Sequence, residues 1–170
     1  TSTWQANVGK STPKLINNNG TAEVRKLQAI ANTTEYGALT THISYQIHHL
    51  TLPSLSSLFN VFRQFGPQGV AIADKYDVND TRFYYFAAGA SYDPGDWFAM
   101  GEWAHSNTHC VFGTGTAWYV SGGYRFGKFT PYLTYAHAAA DNLSDPGLPI
   151  PAAAPLNAAL NGILSTKAVQ

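Results

Sequence analysis

Charge is scarce in this sequence. Lys, Arg, Asp and Glu together make up 12 % of its 170 residues, ten cations against ten carboxylates, for a net charge of zero. No basic stripe is present, which speaks against a nucleic-acid partner. No apolar run reaches eighteen residues, so a transmembrane helix is excluded. The single cysteine, Cys110, rules out an internal disulfide framework. The sequence has no G-x-S-x-G, no H-E-x-x-H and no G-x-x-x-x-G-K-[ST]. Its Ser, His and Asp residues show no triad spacing, so no catalytic residue, cofactor or enzymatic activity is expected. The chain opens on Thr1-Ser2-Thr3-Trp4 without an initiator Met or a signal peptide. That opening is expected of a chain whose signal was removed, or of a fragment.

Aromatics are abundant instead, at 14 % with ten Tyr. A disordered chain would lack them. From Asp80 to Ala138 they fall in runs of about ten residues, twice the usual soluble strand, separated by short turns at Pro94-Gly95-Asp96 and Gly127-Lys128. That length is what a tilted strand needs to cross a bilayer. Alternation and turn signals predict strands near 3–9, 23–33, 38–50, 81–93, 97–107, 116–126 and 130–139. Between them lie long loops at 10–22, 51–80, 108–115 and 140–170. Short turns at 34–37, 94–96 and 127–129 occupy the opposite side. Barrels of the outer membrane sort their connections by length in this way.

Period-2 alternation assigns faces. On 38–50, Leu39, Ile43, Tyr45 and Ile47 oppose Thr40, His42, Ser44, Gln46 and His48. On 97–107, Trp97, Ala99, Gly101 and Trp103 oppose Phe98, Met100, Glu102 and Ala104. On 116–126, Trp118, Val120, Gly122, Tyr124 and Phe126 oppose Ala117, Tyr119, Ser121, Gly123 and Arg125. On 81–93 aromatics occur on both faces, and Tyr84, Phe86, Ala88, Ala90 and Tyr92 are expected outward. The first sets suit lipid and the second a polar lumen. Tyr92, Trp97, Tyr124 and Phe126, with Phe129 and Tyr132, are expected to form an aromatic girdle at the turn end. In the loop at 51–80, Leu55, Leu58, Phe59, Phe62 and Phe65 share a helical stripe that starts after Pro53 and stops at Gly66-Pro67. Residues 68–79 read as irregular and polar, and 156–163 as a weak helix.

The Tyr92-Asp93-Pro94-Gly95-Asp96-Trp97 turn and the hairpin from Gly122 to Tyr132 resemble the Gram-negative outer-membrane porins. The resemblance covers roughly residues 36–140 and is nearest to single-chain porins of about sixteen strands, whose products often trimerise. It implies an all-β, antiparallel transmembrane barrel in the outer membrane, part of whose wall is this chain. The implied function is passive diffusion of small hydrophilic solutes and ions, with outer-membrane lipid, lipopolysaccharide and a homotrimer as partners. Seven strands is an odd number, and the chain ends Lys167-Ala168-Val169-Gln170 rather than in a strand with a terminal aromatic. Both features are expected of an internal fragment.

Within this reading His42, Gln46, Glu102 and Arg125 are candidate pore-lining residues. Glu102 and Arg125 either set a transverse field or form a simple ion pair in the wall. Arg63, Asp74, Lys75 and Asp77 either line a constriction or belong to an extracellular loop packed on the rim. His42, His48, His105, His109 and Cys110 are weak metal candidates, since six residues along a strand separate His42 from His48 by roughly 20 Å; no metal is expected. The alternative is a soluble β-barrel or sandwich that binds an apolar ligand, with Trp97, Trp103, Trp118 and Tyr124 turned inside.

Overall fold

The computed structural model describes residues 1–15, 20–141 and 143–165. Seven strands form one antiparallel sheet in chain order. They are β1 Ser2–Ser11, β2 Glu23–Tyr36, β3 Leu39–Thr51, β4 Thr81–Tyr92, β5 Trp97–Thr108, β6 Gly115–Tyr124 and β7 Tyr132–Ala140. The sheet is open, with β1 and β7 each paired on one side only. Among the described residues there are also three α-helices, α1 Pro53–Arg63, α2 Gly66–Tyr76 and α3 Ala154–Ser165, the last preceded by a 3-10 turn at Pro151–Ala153. No helix among the described residues is long and apolar enough to cross a membrane.

The expected antiparallel sheet of seven strands is present, with two local corrections. β2 runs on through Thr34–Tyr36, so the turn to β3 is only Gly37-Ala38. Gly37 takes φ +59 and Gly127, in the other two-residue turn, φ +58. Both values lie in the left-handed region, open to glycine without a Cβ penalty. The second correction concerns residues 68–79. They were expected to be irregular, yet Gly66–Tyr76 is a helix. Gly66-Pro67 stops α1 but also starts α2, because proline fits the first helical turn, where no N–H bond is lost. The Asn-rich stretch 16–19 and the terminal Lys167-Ala168-Val169-Gln170 lie outside the described residues.

Register fixes the faces. One row crosses the sheet through Gln5, Ala31, Ser44, Ala87, Ala104, Ala117 and Ala138. The adjacent row of opposite facing runs through Trp4, Asn32, Ile43, Ala88, Trp103, Trp118 and His137. The first row belongs to a face of small and polar residues, here called inner. The second belongs to an apolar, aromatic face, here called outer.

The hydrophobic core does not run along the sheet. It sits at the end of the sheet that carries the long connections. Phe59, Phe62, Leu160 and Leu164 are fully buried there, with Val78, Val111 and Leu148 around them. Burying each large side chain stabilises by about 1.5–3 kcal/mol. Leu50 and Phe83, both on the inner face, join this core from the sheet. The helices therefore form a cap on the inner side of one sheet end.

Candidate functional site

The outer face carries large apolar groups without cover. Ile43 is 51 % exposed, Trp103 41 % and Val120 51 %. Phe86 and Trp103 contact each other at 6.0 Å between ring centroids, and Trp118 meets Tyr135 at 5.6 Å. At the turn end Tyr92 lies 5.3 Å from Trp97 and Tyr124 4.5 Å from Phe126. Trp97 is directly opposite Tyr124, so the four rings form one continuous band on the outer face. Phe129 pairs with Phe126 and joins the band. Tyr132 does not. It pairs with Gly123 and so points to the inner side, since alternation from Tyr135 puts it on the other face.

The inner face is chemically different. Thr33, His42, Gly89, Glu102, Tyr119 and Ala136 form one row. His42 Nδ1 lies 3.1 Å from Thr33 Oγ1, and Gln46 Nε2 lies 3.0 Å from His48 Nδ1. His48 stacks on Phe83 at 5.2 Å, and Phe83 continues the contact to Phe112 of the cap. The inner wall is thus tied to the cap through a ring stack. Glu102 has no hydrogen-bond or ion-pair partner among the described residues. A Cβ built on Gly89 would come within 3.3 Å of Glu102 Cγ, so the acidic side chain lies over a glycine.

Glu102 and Arg125 do not meet. Glu102 is level with Tyr119, six residues along β6 from Arg125, or about 20 Å. Arg125 instead grips Asp93 with both terminal nitrogens at 2.7 Å and donates to the Gly95 carbonyl at 2.7 Å. Its guanidinium also lies 5.3 Å from the Phe98 ring centroid. The Arg125 guanidinium holds the Asp93 carboxyl below its ordinary value, and Asp93 in turn raises that of Arg125. This clamp joins the β4–β5 and β6–β7 turns.

The four loop candidates are brought together, but mostly to bond within the cap. Arg63 reaches Asp77 at 3.0 Å and Asp74 at 3.5 Å. Asp77 also accepts from Ser56 Oγ at 3.0 Å, and its side chain is only 5 % exposed. Lys75 and the Tyr76 hydroxyl both donate to Asp145 Oδ2, at 3.2 and 2.9 Å. Burial works against the charged form of Asp145. The Gly147 N–H, the Tyr76 hydroxyl and Lys75 outweigh it and hold the carboxyl below its ordinary value. Among the described residues no group of three or more His, Cys, Asp or Glu could hold a metal ion.

Asp93 and Asp145 are the residues that sequence reasoning passed over. A signal was there. Both open an Asp-Pro-Gly triplet, and in both the glycine N–H donates back to the aspartate Oδ1, at 3.1 and 2.9 Å. The short Asx turn leaves the second oxygen free for a distant cation, Arg125 in one case and Lys75 in the other. Comparison with protein-family models, with curated proteins and with solved structures finds no match to this chain.

Proposed function

We propose that this chain is part of the wall of an outer-membrane porin, a water-filled channel for passive diffusion of small hydrophilic solutes and ions. The observation that carries the reading is the two-faced sheet. Its outer face exposes Ile43, Trp103 and Val120 to the surroundings, and its inner face presents Ser44, Gln46, Glu102 and Ser121. In water such an outer face is a large uncovered apolar patch. In a bilayer it is the expected wall, with alternate residues facing lipid and lumen. Strand length supports the same reading. The twelve residues of β4 or β5 extend over about 40 Å, and a tilt of about 40° reduces this to the roughly 30 Å of a hydrocarbon core. The band of Tyr92, Trp97, Tyr124 and Phe126 at the turn end suits a membrane interface.

The cap supports a place for the loop at 51–80 near the channel mouth. It rests on Leu50 and Phe83, residues of the inner side, and spends its apolar stripe on its own core. A soluble barrel around an apolar ligand would need these faces reversed, because its aromatics would line the inside.

The test is insertion. Purified protein folded into vesicles that contain lipids brominated on the acyl chains is expected to lose fluorescence from Trp97, Trp103 and Trp118. Full fluorescence in those vesicles, with the protein soluble without detergent, would refute the reading.

A further inference from the structure

Unpaired fixed charge on the inner face of the strands is of one sign. By register, Glu35 and Glu102 are the Asp, Glu, Lys or Arg residues of the described strands that face inward. The strand cations face the other way. Arg25 and Arg82 flank His49 on the outer side, and Lys10 alternates outward next to Gly9. Lys26, at the bulge of β2, pairs with Asp80 at 3.5 Å, and Asp80 also lies 3.2 Å from outward His49.

Nearby cations are already occupied. Arg125 is held in both nitrogens by Asp93. In the cap, Arg63 is bonded to Asp77 and Asp74, and Lys75 to Asp145. Two inward carboxylates stand outside this pairing, Glu35 at the turn end of β2 and, nearer the middle of the sheet, Glu102. Glu102 stands halfway along its strand, without a partner among the described residues and over the bare backbone of Gly89.

We infer that Glu102 sets the charge preference of this wall, and that the preference is for cations over anions. The inference rests on the pore reading above. An unpaired carboxylate on a low-dielectric wall focuses the field into the adjacent water and raises the local concentration of counter-ions. Acidic side chains at a lumen select cations by this route. Gly89 gives the carboxylate of Glu102 open space over the wall, in the row that it shares with His42 and Tyr119.

The experiment is a reversal-potential measurement on the full-length protein in a planar bilayer under a potassium chloride gradient. It is run at pH 8, above the ordinary histidine range. The wild type is expected to favour potassium over chloride several-fold, and more strongly at low salt, where screening is weak. Glu102→Gln is expected to bring the ratio close to one at unchanged conductance order, and Glu102→Asp to keep it. The double variant Arg125→Gln with Asp93→Asn is expected to leave the ratio nearly unchanged, since it removes two charges that already cancel. Conductance with chloride preferred, or with a ratio unmoved by Glu102→Gln, overturns this inference and leaves the pore reading standing. Insertion without any conductance overturns both.

Discussion

Replacing Arg63 by Met leaves the Asp77 carboxylate in the cap with Ser56 as its remaining side-chain partner. Asp77 is well placed to reveal the loss. Its side chain is 5 % exposed, whereas that of Arg63 is 33 % exposed. Removing one partner of a fully buried pair costs about 3–5 kcal/mol, because the other charge is stranded. Here the gap left by the guanidinium opens to water, so the cost falls to about 2 kcal/mol, the range of one hydrogen bond to a charged group. That corresponds to roughly a thirtyfold rise in local opening. The assay is hydrogen exchange, read peptide by peptide over α1 and α2. Exchange there is expected to quicken by that factor while β4 and β5 stay unchanged. A second variant, Arg63→Met with Asp77→Leu, removes both charges and is expected to recover most of the protection. The reasoning fails if the single variant exchanges like the wild type, or if the double variant is worse than the single one.

Two further outcomes are expected. Asp145 is held below the ordinary carboxylate value, so it contributes stability that is fully present above about pH 4 and is lost as pH falls through its own lower value. Asp145→Asn should therefore weaken protection of α2 at pH 6, and the two proteins should draw together as pH falls through that lowered value; a gap unchanged at low pH contradicts the assignment. Val120→Arg places a charge in the middle of the outer face. In vesicles it should cost about 2–4 kcal/mol in denaturant unfolding, and a change within about 0.5 kcal/mol, the range of ordinary surface substitutions, would place Val120 in water instead.

The sheet was legible in the sequence because its signal is local. The strands near 38–50, 97–107 and 116–126 carry clear period-2 alternation, and the facing of Ile43, Trp103 and Trp118 follows from parity once a strand is recognised. Register then converts four separate parity assignments into one common face. The second helix was hidden for a different reason. Gly66-Pro67 reads as a stop, and the charges at Asp74, Lys75 and Asp77 read as solvated loop. Their partners, Arg63 and Asp145, lie 11 to 70 residues away in the chain, and no local pattern announces such distant pairs. The same holds for Arg125. Parity places it on the inner side, but only the fold shows that Asp93 consumes its charge. Candidate lumen residues read from alternation thus separate into Glu102, which remains unpaired, and Arg125, which is neutralised in place.

The strand count constrains how such a wall can close. Neighbours alternate in direction across all six pairings, so β1 and β7 run the same way. They cannot join each other in an antiparallel ladder. An antiparallel closure needs an odd number of further strands between the two edges, from elsewhere in a longer chain or from a second chain, and the total is then even, as in bacterial barrels. Open edges are costly in lipid, because each unpaired N–H and C=O lacks a water to bond. The two faces make the same demand from another direction. On the proposed pore reading, the polar inner face would keep water only if the wall curved round it, and the outer face would meet lipid throughout only if that wall had no gap. On that reading, edge pairing and face chemistry call for one and the same closure, and the cap is joined to the inner side of the sheet through Leu50 and Phe83.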